Sequence, residues 1–399
     1  MPTSAAPVDA QAFRSYVADF FDQTVPSVLD GVTGSTNRAK AYRAALYDAG
    51  LAGLGYPVEF GGSDLPSDHA ALFAEVSNRR VPREDSVFGI GVGMALPVLR
   101  DHAAPHLKER FLTPGLRGEE IWCQMYSEPG AGSDLAGITT RADLDGDEWV
   151  VSGQKVWTSG AQQSQYAILL ARTDWDAPKH RGITMFVLPV EQDGVTVQPL
   201  RQMTGEAEFN EVFLDEARIP ADWVVGDVND GWRMAVALLA HERVQTGQAS
   251  MNQDSGQRSR AGRVPIPVKQ LIDLAVEHDR ADDPLVRQQL AQLISGERIV
   301  SWIRGRGNVH PSIGKLWRTR QGRAAAELAG QLAFAAGAAW RSEDEADDWF
   351  AFQILNCRGM SLGGGTDEIQ RNTLGERALG LPREPGPERD TPFRDLPRN

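Results

Sequence analysis

The 399 residues, 41% of them hydrophobic, suffice for a large buried core and two or three structural units. With 41 basic against 54 acidic residues the net charge is −13, which argues against nucleic-acid or anionic-membrane binding through bulk charge. Two cysteines, Cys123 and Cys357, make no disulfide framework, and neither a secretory pattern near Met1–Phe13 nor a membrane-length apolar run is visible, so a soluble cytoplasmic protein is expected.

In chain order, Ala12–Phe21, Ala39–Ala49, Asp68–Asn78 and Phe88–Arg100 repeat apolar residues at helical spacing. Near Glu119 the texture becomes strand-like. Glu148–Val151, Tyr166–Ala171, Gly182–Leu188, Val195–Pro199 and Glu211–Leu214 are short β-prone runs between turn residues. Helices return at Trp232–Met251, Pro284–Ile303, Ile313–Ala339 and Ala346–Leu362, and a last one follows Gly363–Gly365. The stretch after Leu381 is rich in proline and charge and predicts no element. Helix, then sheet, then helix is an α+β order, not a doubly wound one. The expected domains are 1–118 (helical), 119–228 (β), 229–382 (helical) and a tail at 383–399.

Gly89, Gly91 and Gly93 imitate a dinucleotide fingerprint. They lack the preceding strand and the ribose-binding acid, so helix packing through small residues is the expected role. His102 and His106 stand four apart, but the intervening Pro105 disfavours a shared helical face and no third ligand is evident; no metal site is expected.

Three segments can carry chemistry. Trp122–Ser164 holds the Gly-rich turn Glu128–Asp134 and the aromatic-hydroxyl turn Trp157–Gly160. Small residues admit close backbone approach, and indole with hydroxyls offers a stacking face and hydrogen bonds, a combination suited to a planar heterocycle. Glu242 follows Leu239, Leu238 and Ala235 at helical spacing, in a helix expected to be apolar nearly all round and buried. A carboxylate there either has its pKa raised toward that of a general base or forms a structural salt bridge. Gly363–Asn372 is a loop-to-helix junction with Thr366 as N-cap; it either meets an anion or is a plain junction, with Asp367 and Glu368 as ordinary helix-start residues.

Together these segments resemble the acyl-CoA dehydrogenase family of flavoenzymes. The likeness runs through Leu51–Gly62, Tyr126–Asp134, Gly153–Gly160 and Gly365–Asn372, and the Leu379–Glu384 ending is similar to the actinobacterial branch. It implies an N-terminal helical domain, a central β-barrel or sandwich domain, and a C-terminal four-helix bundle that mediates oligomerisation, with FAD between the last two. By position, Met125, Tyr126 and Ser127 would line the flavin, with Gly132 beside them. Ser133 would face both cofactor and acyl-CoA, Trp157 would stack near the ring with Thr158 also at the cofactor, and Ser159 would bond flavin N5. Arg258, Thr366 and Glu368 would reach the FAD phosphates or adenosine across the subunit interface. Arg243 would contact the CoA portion, and Gly364 and Gly365 the acyl group.

The implied reaction is α,β-dehydrogenation: a base takes the α-proton, the β-hydrogen leaves as hydride to the flavin, and electrons pass to an electron-transfer flavoprotein. Many members carry the base immediately before the Gly-Thr of the last helix, where this chain has Gly364. Branched-chain and long-chain members carry it before an Arg in the bundle, and Glu242-Arg243 matches that position. Two family features are missing. Arg258–Gly262 lacks the usual aromatic, and Gln331–Gly337 lacks the usual Gln-x-x-Gly-Gly. The resemblance thus also admits a partner subunit of a hetero-oligomer, beside a homodimer or homotetramer, and an oxidase or monooxygenase on the same fold.

Overall fold

The computed structural model describes residues 2–78, 80–251, 266–304, 306, 309–337, 345–383 and 390–397, with backbone alone at 242–251, 304, 334–337 and 345–349. The chain divides into two compact units, one of Met1–Leu200, Ala207–Gln245 and Pro387–Asn399, the other of Arg201–Glu206 and Thr246–Gly386.

The first unit opens with α1 (Ala10–Asp19), whose N-cap Asp9 accepts from the amides of Gln11 and Ala12. A π turn joins it to α2 (Val25–Leu29); α3 (Ser35–Asp48) and α4 (Asp68–Ser77) follow. The helix expected at Phe88–Arg100 is instead a 3₁₀ turn, a π turn at Gly91–Ala95 and the short α5 (Leu96–His102). Three glycines weaken the α form there, and Pro97 fits only the first turn of α5. Gly91 lies against β1 (Trp122–Met125): a Cβ on it would stand 3.2 Å from the Trp122 indole, so Gly91 serves packing as expected, whereas a Cβ on Gly89 would meet nothing within 4 Å. Pro105 starts α6 (Pro105–Arg117), which leaves His102 and His106 on different helices. Pro105 and Pro114 hid α6 from the periodicity.

The remaining strands are β2 (Arg141–Asp145), β3 (Glu148–Ser159), β4 (Tyr166–Arg172), β5 (Ile183–Pro189), β6 (Val195–Leu200) and β7 (Phe209–Pro220). They form one sheet in the order β1-β4-β2-β3-β7-β6, with β5 on the other edge of β4. Strands β3 and β7 run far beyond the expected four residues because register shifts at Val151/Gly153 and Lys155/Thr158 absorb the breaks in alternation. A Cβ at Gly153 would meet Thr140 Oγ1 at 2.6 Å and Cα at 2.7 Å, and its φ is +157°. Gly153→Ala is therefore expected to cost about 1–3 kcal/mol in a urea unfolding series.

Strands β4 and β5 are buried on both faces. Ile168, Leu170, Ile183, Met185 and Val187 pack with α5, α6 and α7 (Gly231–Met251), while Ala167, Leu169, Phe186 and Leu188 meet Trp149, Val151, Val212 and Leu214 of the curled sheet. This is why both read as unbroken apolar runs.

The second unit is helical: α8 (Val268–Glu277), α9 (Pro284–Arg304), α10 (Pro311–Gly337) and α11 (Glu345–Leu362) enclose one core, and α12 (Asp367–Thr373) follows the glycines. Among the described residues no helix is long and apolar enough to cross a membrane. The stretch after Leu381 departs from expectation. Phe393–Asp395 forms a 3₁₀ turn, and Phe393 is buried in the first unit. One aromatic among prolines and charges was enough to anchor it.

Candidate cofactor and substrate site

In the first unit, the end of β1 leads straight into the Gly-rich turn. Glu128 and Ala131 exchange both backbone hydrogen bonds (3.1 and 3.0 Å), which makes Pro129-Gly130 a two-residue corner. The Val156 amide donates to the Ser127 carbonyl at 2.9 Å, bringing this turn beside the end of β3. Tyr126, Ser127, Gly132, Ser133, Trp157, Thr158 and Ser159 thus gather on two adjoining turns. Ser133 and Gly132 are exposed, Ser127 and Ser159 half-buried. The Met125 side chain is fully buried in the sheet core, on the same face of β1 as Cys123.

Two features mark this surface. Trp157 is 56% exposed and takes a left-handed φ of +61° at the β3 bulge, propped edge-on against Phe209 at 5.8 Å. An exposed indole held in a conformation costing about 1–3 kcal/mol is what a functional site stores. Gly130 and Gly132 take no left-handed φ, and a Cβ on either would meet no protein atom within 4 Å. The fold does not demand their smallness, which leaves room for close approach by a ligand. Beside Trp157, Asn210 donates to the Thr158 carbonyl at 2.9 Å, while Asn210 Oδ1 and Thr158 Oγ1 are buried without a hydrogen-bond partner among the described residues.

Beneath the turns lies an ion pair that sequence reasoning passed over. Lys155, fully buried, donates from Nζ to Glu128 Oε1 (2.9 Å) and to the Tyr126 carbonyl (3.1 Å). Glu128 also accepts from the amides of Thr139 (2.7 Å) and Thr140 (2.9 Å) and from the Thr139 hydroxyl (2.9 Å). Burial alone would raise the Glu128 carboxyl, but the Lys155 ammonium and these donors bring it down to about 2. The available signal was phase: Lys155 occupies an inward position of β3, where an unpaired charge is untenable.

Glu242 and Arg243 belong to α7, and their side chains lie outside the described residues, as does Arg258 altogether. The stripe leading to them is partly as expected: Ala235 and Leu238 are buried, with Met234 beside them, while Leu239 is half-buried. The helix is not buried all round, however. Arg233, Val236 and Ala240 are exposed, because a straight helix turns only one stripe toward its unit's core.

In the second unit Gly364 and Gly365 take left-handed φ values of +67° and +80°, and the Thr366 hydroxyl caps α12 by accepting from the Ile369 amide at 3.2 Å. Gln370 Nε2 closes the turn on the Gly364 carbonyl at 2.8 Å. Glu368 is exposed, near Arg371 at 3.5 Å. Asp367 is no ordinary helix-start residue: it is buried and paired with Lys315 of α10 at 2.6 Å. A cleft of about 510 Å³ between α10 and α12 is lined by Trp317, Arg320, Arg323 and Arg371, among others.

Sequence profiles for the N-terminal, middle and C-terminal domains of acyl-CoA dehydrogenases match residues 7–119, 123–217 and 229–379. The chain belongs to the acyl-CoA dehydrogenase family, at family level an FAD-dependent oxidoreductase. It is 37% identical over 398 residues to acyl-CoA dehydrogenase IpdE1 of Mycobacterium tuberculosis (strain ATCC 25618 / H37Rv), covering 94% of this chain and 99% of that protein. Acyl-CoA dehydrogenase FadE34 of the same organism is 37% identical over 356 residues, 86% of this chain and 46% of that protein. These relatives set it with actinobacterial members. Among solved structures, the Tcur3481-Tcur3483 steroid ACAD is similar with a TM-score of 0.71 at 25% identity, covering 96% of this chain and all of that one. The ChsE4-ChsE5 complex from Mycobacterium tuberculosis gives 0.68 at 26%, covering 94% and 97%.

Proposed function

We propose that this chain dehydrogenates an acyl-CoA thioester to the trans-2-enoyl-CoA, with Glu242 as the α-proton base. The observation that carries the cofactor half of this reading is the strained, exposed Trp157 set beside the open Gly-rich turn. The donor set fits a flavin: an indole face, hydroxyls at Ser127, Ser133 and Ser159, and a backbone left bare at Gly132. FAD, when bound, supplies the acceptor for the β-hydride. The chain's residues do the rest. Trp157 would stack beside the ring with the buried Thr158 behind it, Tyr126 and Ser127 would line its edge, and Ser159 would supply a hydroxyl to its reactive side. By the family resemblance, Arg258, Thr366 and Glu368 would reach the phosphates or adenosine of a neighbouring subunit's FAD. Ser133 and Arg243 orient the thioester and CoA, Gly364 and Gly365 leave space for the acyl group, and Glu242 removes the α-proton. An electron-transfer flavoprotein takes the electrons onward.

With glycine at 364 and the base on the bundle helix, the pocket favours branched or bulky acyl groups, and steroid side-chain thioesters are the class to try first. A second reading has specific support: two of the similar solved structures carry the names of paired chains, Tcur3481-Tcur3483 and the ChsE4-ChsE5 complex. In it the chain is one subunit of a hetero-oligomer and holds part of a site. The test is the absorbance spectrum of the purified protein, titrated with acyl-CoAs from short branched chains to steroid side-chain thioesters. A yellow protein bleached by one of them supports the first reading. A colourless one that gains flavin only when co-expressed with a related subunit supports the second. Hydrogen peroxide formed at the turnover rate identifies an oxidase.

A further inference from the structure

Residues 390–397 pack within the first unit on the connection between β4 and β5, residues 173–182. The Phe393 amide donates to the Ala177 carbonyl (3.0 Å) and the Arg394 amide to that of Trp175 (3.1 Å). The Phe393 ring is 5.6 Å from that of Trp175 and its centroid lies only 3.4 Å from the Arg172 guanidinium carbon. Arg394 pairs with Asp176 at 2.5 Å.

Arg172 has no exposed surface. Its in-plane N–H groups donate to the carbonyls of Ala136 (2.7 Å), Ile138 (3.0 Å) and Lys179 (3.3 Å), so the edge of the guanidinium is spoken for. What remains are its faces: Phe393 lies closely over one, attracting the cation and excluding water, and the Trp175 ring centroid stands farther off at 5.9 Å. Ala136 and Ile138 sit just past Ser133-Asp134, and Lys179 ties the same loop to Asp134 at 2.5 Å. The 390–397 segment, Arg172 and the Gly-rich turn therefore form one continuous chain of contacts.

We propose that Phe393 and Arg172 are positioning residues: the 390–397 segment clamps Arg172, and through it holds the Gly130–Asp134 turn in the conformation that receives the acyl-CoA thioester. This rests on the reading that Ser133 meets the substrate. A flat ring is required, since an aliphatic side chain would exclude water without attracting the guanidinium.

The test compares the full-length protein with Phe393→Ala and Phe393→Tyr by backbone hydrogen exchange and steady-state kinetics. In Phe393→Ala, exchange within 134–140 and 173–182 should speed up by about tenfold or more and the KM for the acyl-CoA rise about tenfold, with kcat little changed. Phe393→Tyr should restore both. A chain ending at Leu381 should show the same loosening, reversed by a peptide of residues 390–397. Unchanged exchange in Phe393→Ala, or loosening without a rise in KM, overturns the proposal. A parent protein that binds no acyl-CoA would count against the functional reading instead, and the exchange comparison still judges the clamp.

Discussion

Glu242→Gln is expected to keep FAD bound while slowing flavin reduction by an acyl-CoA about 10³-fold, the scale lost when a positioned base is removed. The amide matches the carboxylate in shape but cannot take a proton. The position that many relatives use is closed, because Gly364 has no side chain and its left-handed backbone serves the turn before α12. Helix α7 offers the alternative: Met234, Ala235 and Leu238 anchor one stripe in the first unit's core, and Glu242 follows one turn on. Rapid mixing of the oxidised variant with the best substrate, followed by flavin absorbance, measures the step directly. A rate within about tenfold of the parent would remove Glu242 from the role.

Lys155→Met should destabilise the first unit strongly, by about 3–5 kcal/mol in urea unfolding, because it leaves the Glu128 carboxylate buried without its cation. Adding Glu128→Gln should recover part of the loss. The pair also sets an acid limb. The Glu128 carboxyl titrates at about 2 when folded, below its ordinary 4.5, so the unfolded chain binds the proton first. Its contribution is complete above the ordinary value and drains away as pH falls from there through about 2. In Lys155→Met that limb should shrink in the stability profile, since only the Thr139 and Thr140 donors then oppose the upward pull of burial on the carboxyl. A variant with parental stability and an unchanged acid limb would show that the pair does not act as described.

The α+β order was legible because helix and strand periods segregate along the chain, and the glycine- and hydroxyl-bearing turns were legible because their composition has few other uses. What stayed hidden has physical reasons. Lys155 lies beyond the expected strand Glu148–Val151 and drew no reading of its own, when it is an inward charge answered by Glu128 from a neighbouring turn. Met125 adjoins the right motif but faces the core, a matter of strand phase that position alone does not convey. Helix α6 was masked by Pro105 and Pro114, and the anchoring of Phe393 depends on Arg172, over two hundred residues away. Trp157 could be named, but not its backbone strain, which arises from the bulge opposite β7.

Strand β4 belongs to two interiors at once: Ile168 and Leu170 to the helical side, Ala167 and Leu169 to the sheet side. Its numbering phase is therefore a shared constraint. Insertion of one residue would hand each interior the other's side chains, exchanging alanine for isoleucine or leucine along the strand and misfitting both together. Length changes in this unit should be tolerated in twos within that wall and singly only in the loops beyond it.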